Sequence, residues 1–245
     1  IMIFGKLFKK KEKENWTTRQ PRVQVQVLHD IYYEMSEPKT ISNIKISNIS
    51  TSGVGFLIKS STFWPQPGQQ TSGKFDIKGK LYPVTMNIIH HTDKVIGCQF
   101  INQSTDLQHV IEDYFHVEIS ALNLNEVSPD SLKQPGRGLA RWFHGGKNTE
   151  LYFIEKDDTV LEFTLTLFGI HFEYFDQKKT RIGYVVNDPQ GDQIGFDSST
   201  QVRFVDDIPK PMAEKTCLFI HSIKSIDKAI KNEICNKINS CVKSE

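Results

Sequence analysis

A mainly β first half followed by an α+β second half is the fold class this chain predicts, on three observations. Between Val23 and Phe100, apolar residues alternate with polar ones in six short runs separated by turn residues. After Phe100 the apolar spacing changes to three and four, and that spacing returns from about Pro211 to Cys241. Between the halves lies NLNEVSPDSLKQPGRG, a stretch whose prolines and glycines interrupt any regular pattern. The expected architecture is a six-stranded antiparallel barrel with a helix behind it. A smaller antiparallel sheet with a long C-terminal amphipathic helix follows. Four segments result: a flexible basic leader over 1–14, the barrel domain over 15–120, a linker over 121–138, and an α+β domain of unassigned function over 139–245.

In the first half, Val23, Val25 and Val27 alternate with Gln24 and Gln26, which gives a strand one buried and one wet face. NIKISNI and GVGFLI supply the next two runs, with Val54, Phe56 and Ile58 on one side. WPQPGQQ is a loop, because its prolines cannot donate to a central ladder. The segment from Lys74 to Phe100 holds three more runs, with turns at Lys78-Gly79 and near Thr92-Asp93. Thr105 or Asp106 then caps a helix carrying Leu107, Val110, Ile111, Tyr114 and Phe115 on one stripe.

The second half opens on ARWFHGG, where Trp142, Phe143 and His144 read as core or as the lining of a pocket. ELYFIEKDDTVLEFTLTLFGIHFEYF, turned at Asp157-Asp158, and RIGYVVND predict antiparallel hairpins. In the closing helix, Phe219, Ile223, Ile226, Ile230, Ile234 and Ile238 recur every three or four positions.

Composition narrows the function. A formal charge of +1 is far from the basic field of a general nucleic-acid binder but leaves room for a local anion site. The four cysteines form no CxxC pair and read as reduced, buried thiols of a cytoplasmic protein. His90 and His91, as strand neighbours, point to opposite faces, so no metal site is predicted. No apolar run is long enough to span a bilayer. The leader IMIFGKLFKKKEKE has the apolar and basic residues for weak contact with an anionic membrane surface. No GxSxG, Walker loop or paired carboxylates at helical spacing are present, so no catalytic activity is predicted.

Two motifs remain. TTRQPRVQVQVL sets Arg19 and Arg22 just ahead of the first strand, and NISTSGVGF sets Asn48, Ser50 and Gly53 between two strands. Asn48 and Ser50 offer a carboxamide and a hydroxyl beyond the ladder, and Gly53 permits either a positive φ or the close approach of a flat ligand. Arginine just ahead of a strand, Asn-x-Ser-x-x-Gly, then VIGCQF and a helix resemble the PilZ family of cyclic-di-GMP receptors over roughly residues 15–118. The resemblance implies that an RxxxR loop and the [D/N]xSxxG strand end grip one cyclic dinucleotide. Asn48, Ser50 and Gly53 match the second motif without a gap, whereas Thr18 stands at the first arginine position and Arg19 one place late. The ligand residues it implies are Arg19, Arg22, Asn48, Ser50 and Gly53; cyclic-di-GMP is the ligand, and no cofactor or metal is implied. Two readings compete: a bacterial receptor that relays second-messenger level to a protein partner through its second domain, and a barrel of the same family that binds partners but no nucleotide.

Overall fold

The computed structural model describes residues 20–26, 29–37, 40–58, 64–146, 148–175, 178–186 and 201–243. The leader, Thr18, Arg19 and Val27 lie outside the described residues.

Eight strands form the first sheet: β1 (Val23–Gln24), β2 (Ile31–Glu37), β3 (Ile41–Ile44), β4 (Ile46–Ser50), β5 (Gly53–Leu57), β6 (Gln70–Ile77), β7 (Lys80–His91) and β8 (Val95–Gln103). Their order is β1-β4-β5-β8-β7-β6-β2-β3, and the paired neighbours are antiparallel. β3 is one edge and β4 lies next to the other, yet only Lys45 separates them in the chain. The sheet must therefore curl enough to bring β3 near β4, which makes it a half-barrel, and no ladder joins its two ends among the described residues.

This corrects the expected six-stranded barrel in three places. The valine run pairs as a strand only at Val23–Gln24. NIKISNI splits at Lys45 into two strands, with Asn43 in the left-handed region at φ 56. β2 is an additional strand whose Ile31, Tyr33 and Met35 point inward. The turn at Lys78-Gly79 forms as expected, both residues having positive φ.

Inside the curl, Phe56 stacks on Trp64 at 5.2 Å and lies 4.7 Å from the Tyr33 ring. Helix α1 (Thr105–Tyr114) closes this core with Leu107 and Ile111, followed by Phe115, all fully buried. Ser104 caps it, one residue before the expected position, its Oγ accepting from the Leu107 N–H at 3.1 Å.

Helix α2 (His116–Leu122) follows α1 directly and faces both halves: Val117 and Ala121 belong to the second core, while Ile119 and Leu122 pack against the first. The second sheet is a meander in the order β15-β14-β13-β12-β11-β10-β9, built from β9 (Asn125–Val127), β10 (Leu139–His144), β11 (Glu150–Lys156), β12 (Thr159–Leu167), β13 (Ile170–Phe175), β14 (Arg181–Val186) and β15 (Gln201–Val205). Register aligns Phe143, Leu151, Leu165, Phe172 and Ile182 in one buried row. Phe143 is thus core, while Trp142 and His144 take the other face.

Two helices cover the buried row, α3 (Lys210–Ser222) and α4 (Lys228–Asn239), in place of the single long helix expected. Ile223 ends α3 in extended backbone, and Asp227 precedes α4 in extended backbone. The apolar spacing runs through this corner because Ile223 and Ile226 are buried in the same core as the helices on either side. Periodicity reports which core a residue faces, and it does not report a bend that keeps the same face inward. Among the described residues, no helix is long and apolar enough to cross a membrane.

Candidate functional site

The Asn-x-Ser-x-x-Gly segment is the β4–β5 hairpin. Ser50 pairs with Gly53 across a turn at Thr51 and Ser52. Ser50 is only 3% exposed, and its Oγ donates to the Gly53 carbonyl at 3.2 Å while the Ser52 N–H reaches it at 3.4 Å. The hydroxyl holds the turn closed.

Gly53 corrects one expectation, because it is absent from the residues with positive φ. Glycine is required for another reason: a Cβ there would overlap the Cys98 carbonyl oxygen of β8. Asn48 lies opposite Gln24 on one side and Gly55 on the other. Its Nδ2 donates weakly to Ser47 Oγ at 3.4 Å, and its Oδ1 is buried with no hydrogen-bond partner among the described residues. A buried acceptor left unpaired costs about 1–3 kcal/mol, so it is suited to a donor from outside the fold.

The β1–β4 register brings the first motif to the second. Val23 faces Ile49, both in the core, and Gln24 faces Asn48. One step further along the antiparallel pair sets Arg22 across from Ser50, on the outer face. Arg22 is exposed and makes no ion pair with another described residue.

Two rows therefore cross the outside of the half-barrel. One runs Arg22, Ser50, Gly53, Gln99 and Asn87; the other runs Gln24, Asn48, Gly55, Gly97 and His90. Neither row contains a carboxylate, so an anion meets no fixed negative charge within them. Three glycines leave a low floor between polar side chains. The sequence did not place Gly55, Gly97, Gln99 and His90 on this face; GVG and VIGCQF were visible signals, whereas the pairing that aligns these strands was not.

The comparisons bear on this face. The family model described as PilZ domain matches residues 17–116, a stretch that includes both motifs and stops at the first residue of α2. Residues 17–116 are a PilZ domain. A crystal structure of an uncharacterized Legionella protein is similar at 17% sequence identity, covering 37% of this chain and 84% of that chain with a TM-score of 0.28. Comparison with curated proteins gives no match.

Elsewhere in the PilZ domain, a cavity of about 400 Å³ opens where the end of β1 meets the β3–β4 junction, lined by Val25, Gln26, His29, Ile44 and Lys45 among others. Arg22, Asn48, Ser50 and Gly53 do not line it. Its wall residue His29 is itself held: Nδ1 accepts from the Gln26 N–H at 2.9 Å, and Nε2 lies 3.0 Å from Glu118 Oε1. The first bond assigns the proton to Nε2, which then donates to the carboxylate. This contact joins the segment after β1 to α2. Among the described residues, no group of three or more His, Cys, Asp or Glu could hold a metal ion.

Proposed function

We propose that the PilZ domain is a cyclic-di-GMP receptor in a cytoplasmic protein without catalytic activity of its own, and that residues 139–245 pass the ligand's presence to a protein partner. The observation that carries this reading is the strand register, which supports a common outer face for Arg22, Asn48, Ser50 and Gly53. Cyclic-di-GMP has two phosphates and two guanines. A guanidinium can bridge phosphate oxygens, bond guanine O6 and N7 together, or stack on a purine, whereas an ammonium does only the first well. Arg22 supplies that group at the rim, with Arg19, three residues earlier in the sequence, as the second cation. The unpaired Asn48 Oδ1 is an acceptor for a guanine N–H. Gly53 and the closed turn at Ser50 keep the floor flat beneath it.

Calorimetric titration of the full chain with cyclic-di-GMP tests the reading. Saturable heat is the expected result, and Arg22→Ala should weaken binding by about 1–3 kcal/mol, the worth of a charge-assisted bidentate contact. No saturable heat with the parent protein would overturn it and leave a PilZ domain used only for contacts with other proteins.

A further inference from the structure

Gly55 and Gly97 differ from the other strand glycines in what occupies the space above them. At Gly53 and Gly73, a Cβ would strike the backbone carbonyls of Cys98 and Glu34, so those glycines are needed for strands to approach. At Gly55, by contrast, the three atoms nearest a Cβ all belong to the Asn48 side chain, and at Gly97 all three belong to the His90 imidazole. The two glycines are direct partners across β5 and β8, so Asn48 and His90 lean over one bare strip from opposite sides.

Each of these side chains is aimed by a break in its strand's register. β4 shifts against β5 between Ile46 and Asn48, and β7 shifts against β8 between Ile88 and His90. The second shift leaves Ile88 in the core while both Ile89 and His90 are exposed. An extra residue in a strand turns the next side chain onto a chosen face, at a cost in ladder hydrogen bonds. Here two such irregularities flank a single pair of glycines, and each brings a planar polar group over the nearer one. His90 has no hydrogen bond to another described residue that would account for its position.

We propose that His90 is a ligand-contacting residue of this face, its imidazole forming the aromatic wall against which one guanine of the dinucleotide stacks, with Asn48 reading the polar edge from across the glycine strip. The inference rests on the proposed ligand. Stacking needs a π face and tolerates replacement of one ring by another, which distinguishes it from a hydrogen bond or a charge.

Titration of the full chain with cyclic-di-GMP, comparing the parent with His90→Ala, His90→Phe and Arg22→Ala, decides it. His90→Ala should weaken binding on the order of tenfold, as for loss of one base–aromatic contact. His90→Phe should stay within about threefold of the parent, since the ring is kept. The side chain is exposed, so the thermal midpoints of both variants should match the parent's. If the parent binds and Arg22→Ala weakens it while His90→Ala does not, this inference is overturned and the receptor function stands. If His90→Phe loses as much as His90→Ala, the stacking role is overturned. A parent that gives no heat overturns the receptor function and this inference with it.

Discussion

Ser50 and Gly53 hold the same turn by different means, and their substitution separates them. Ser50→Ala removes one buried hydroxyl that donates to the Gly53 carbonyl, a loss of about 1 kcal/mol. Gly53→Val drives a branched side chain into the β8 backbone at Cys98 and should cost more, about 1–3 kcal/mol, because strands rather than side chains must move. Urea denaturation compares the two, and equal midpoints would show that close strand approach is not what requires glycine there. The sequence announced a special residue at Gly53 but not the reason, which is a carbonyl on a strand far along the chain. The thiols behave likewise: equivalent in the sequence, they are set apart by packing. Burial pushes Cys98 up to about 12 and also raises Cys241, whereas a hydrogen bond with the Cys235 thiol lowers Cys217, which is half-buried. The thiolate is the reactive form, so an alkylating agent at about pH 8 should label Cys217 first, as peptide mapping by mass spectrometry would show. Earlier labelling of Cys98 or Cys235 would contradict these environments.

At the scale of elements, local signals were legible where turn chemistry is explicit. Lys78-Gly79 and Asp157-Asp158 both form turns with positive φ at each residue. The turn at Phe168-Gly169, also positive at both, was hidden because an aromatic residue continues the apolar run TLTLFGIHF. β2 was missed although its alternation is regular, since the preceding valine run has the same pattern and only strand pairing tells them apart. Residues 121–138 are proposed as the linker between the domains, and they are not uniform. β9 pairs with β10, and a 3-10 turn at Pro129–Ser131 follows, after which 133–137 are exposed. Arg137 is held by Glu162, which leaves Lys133 as the accessible basic residue of the stretch. Apart from trimming within the lysine-rich leader, brief trypsin digestion should therefore cut first after Lys133, separating the two halves. A first cut within β11 to β14 would contradict the linker proposal.

Over the whole molecule, the two cores meet at α1 and α2. Phe115 belongs to the first core and Val117 to the second, and α2 packs against α3. The segment leaving β1 is fastened to this helix pair twice, by the buried His29–Glu118 contact at 3.0 Å and by the Asp30 N–H donating to Tyr114 Oη at 2.8 Å. Arg22 stands at the other end of the same segment. On the proposed reading, a ligand held at Arg22 would act on α2 through these bonds, and the response would be limited by its differential affinity for the two arrangements. None of this was legible in the sequence, because the partners lie 89 and 84 residues apart and no local pattern links them. The motif residues stand out in the sequence because they resemble a family arrangement; Gly55, Gly97 and His90 are set beside them only by the pairing of β5, β7 and β8. Amide hydrogen exchange of the full chain, with and without saturating cyclic-di-GMP, tests the central claim most directly. Slower exchange is predicted in peptides covering Val23–Gln24 and the β4–β5 hairpin, with an accompanying change in α2. Unchanged exchange throughout β1, β4 and β5 at saturating ligand would contradict it.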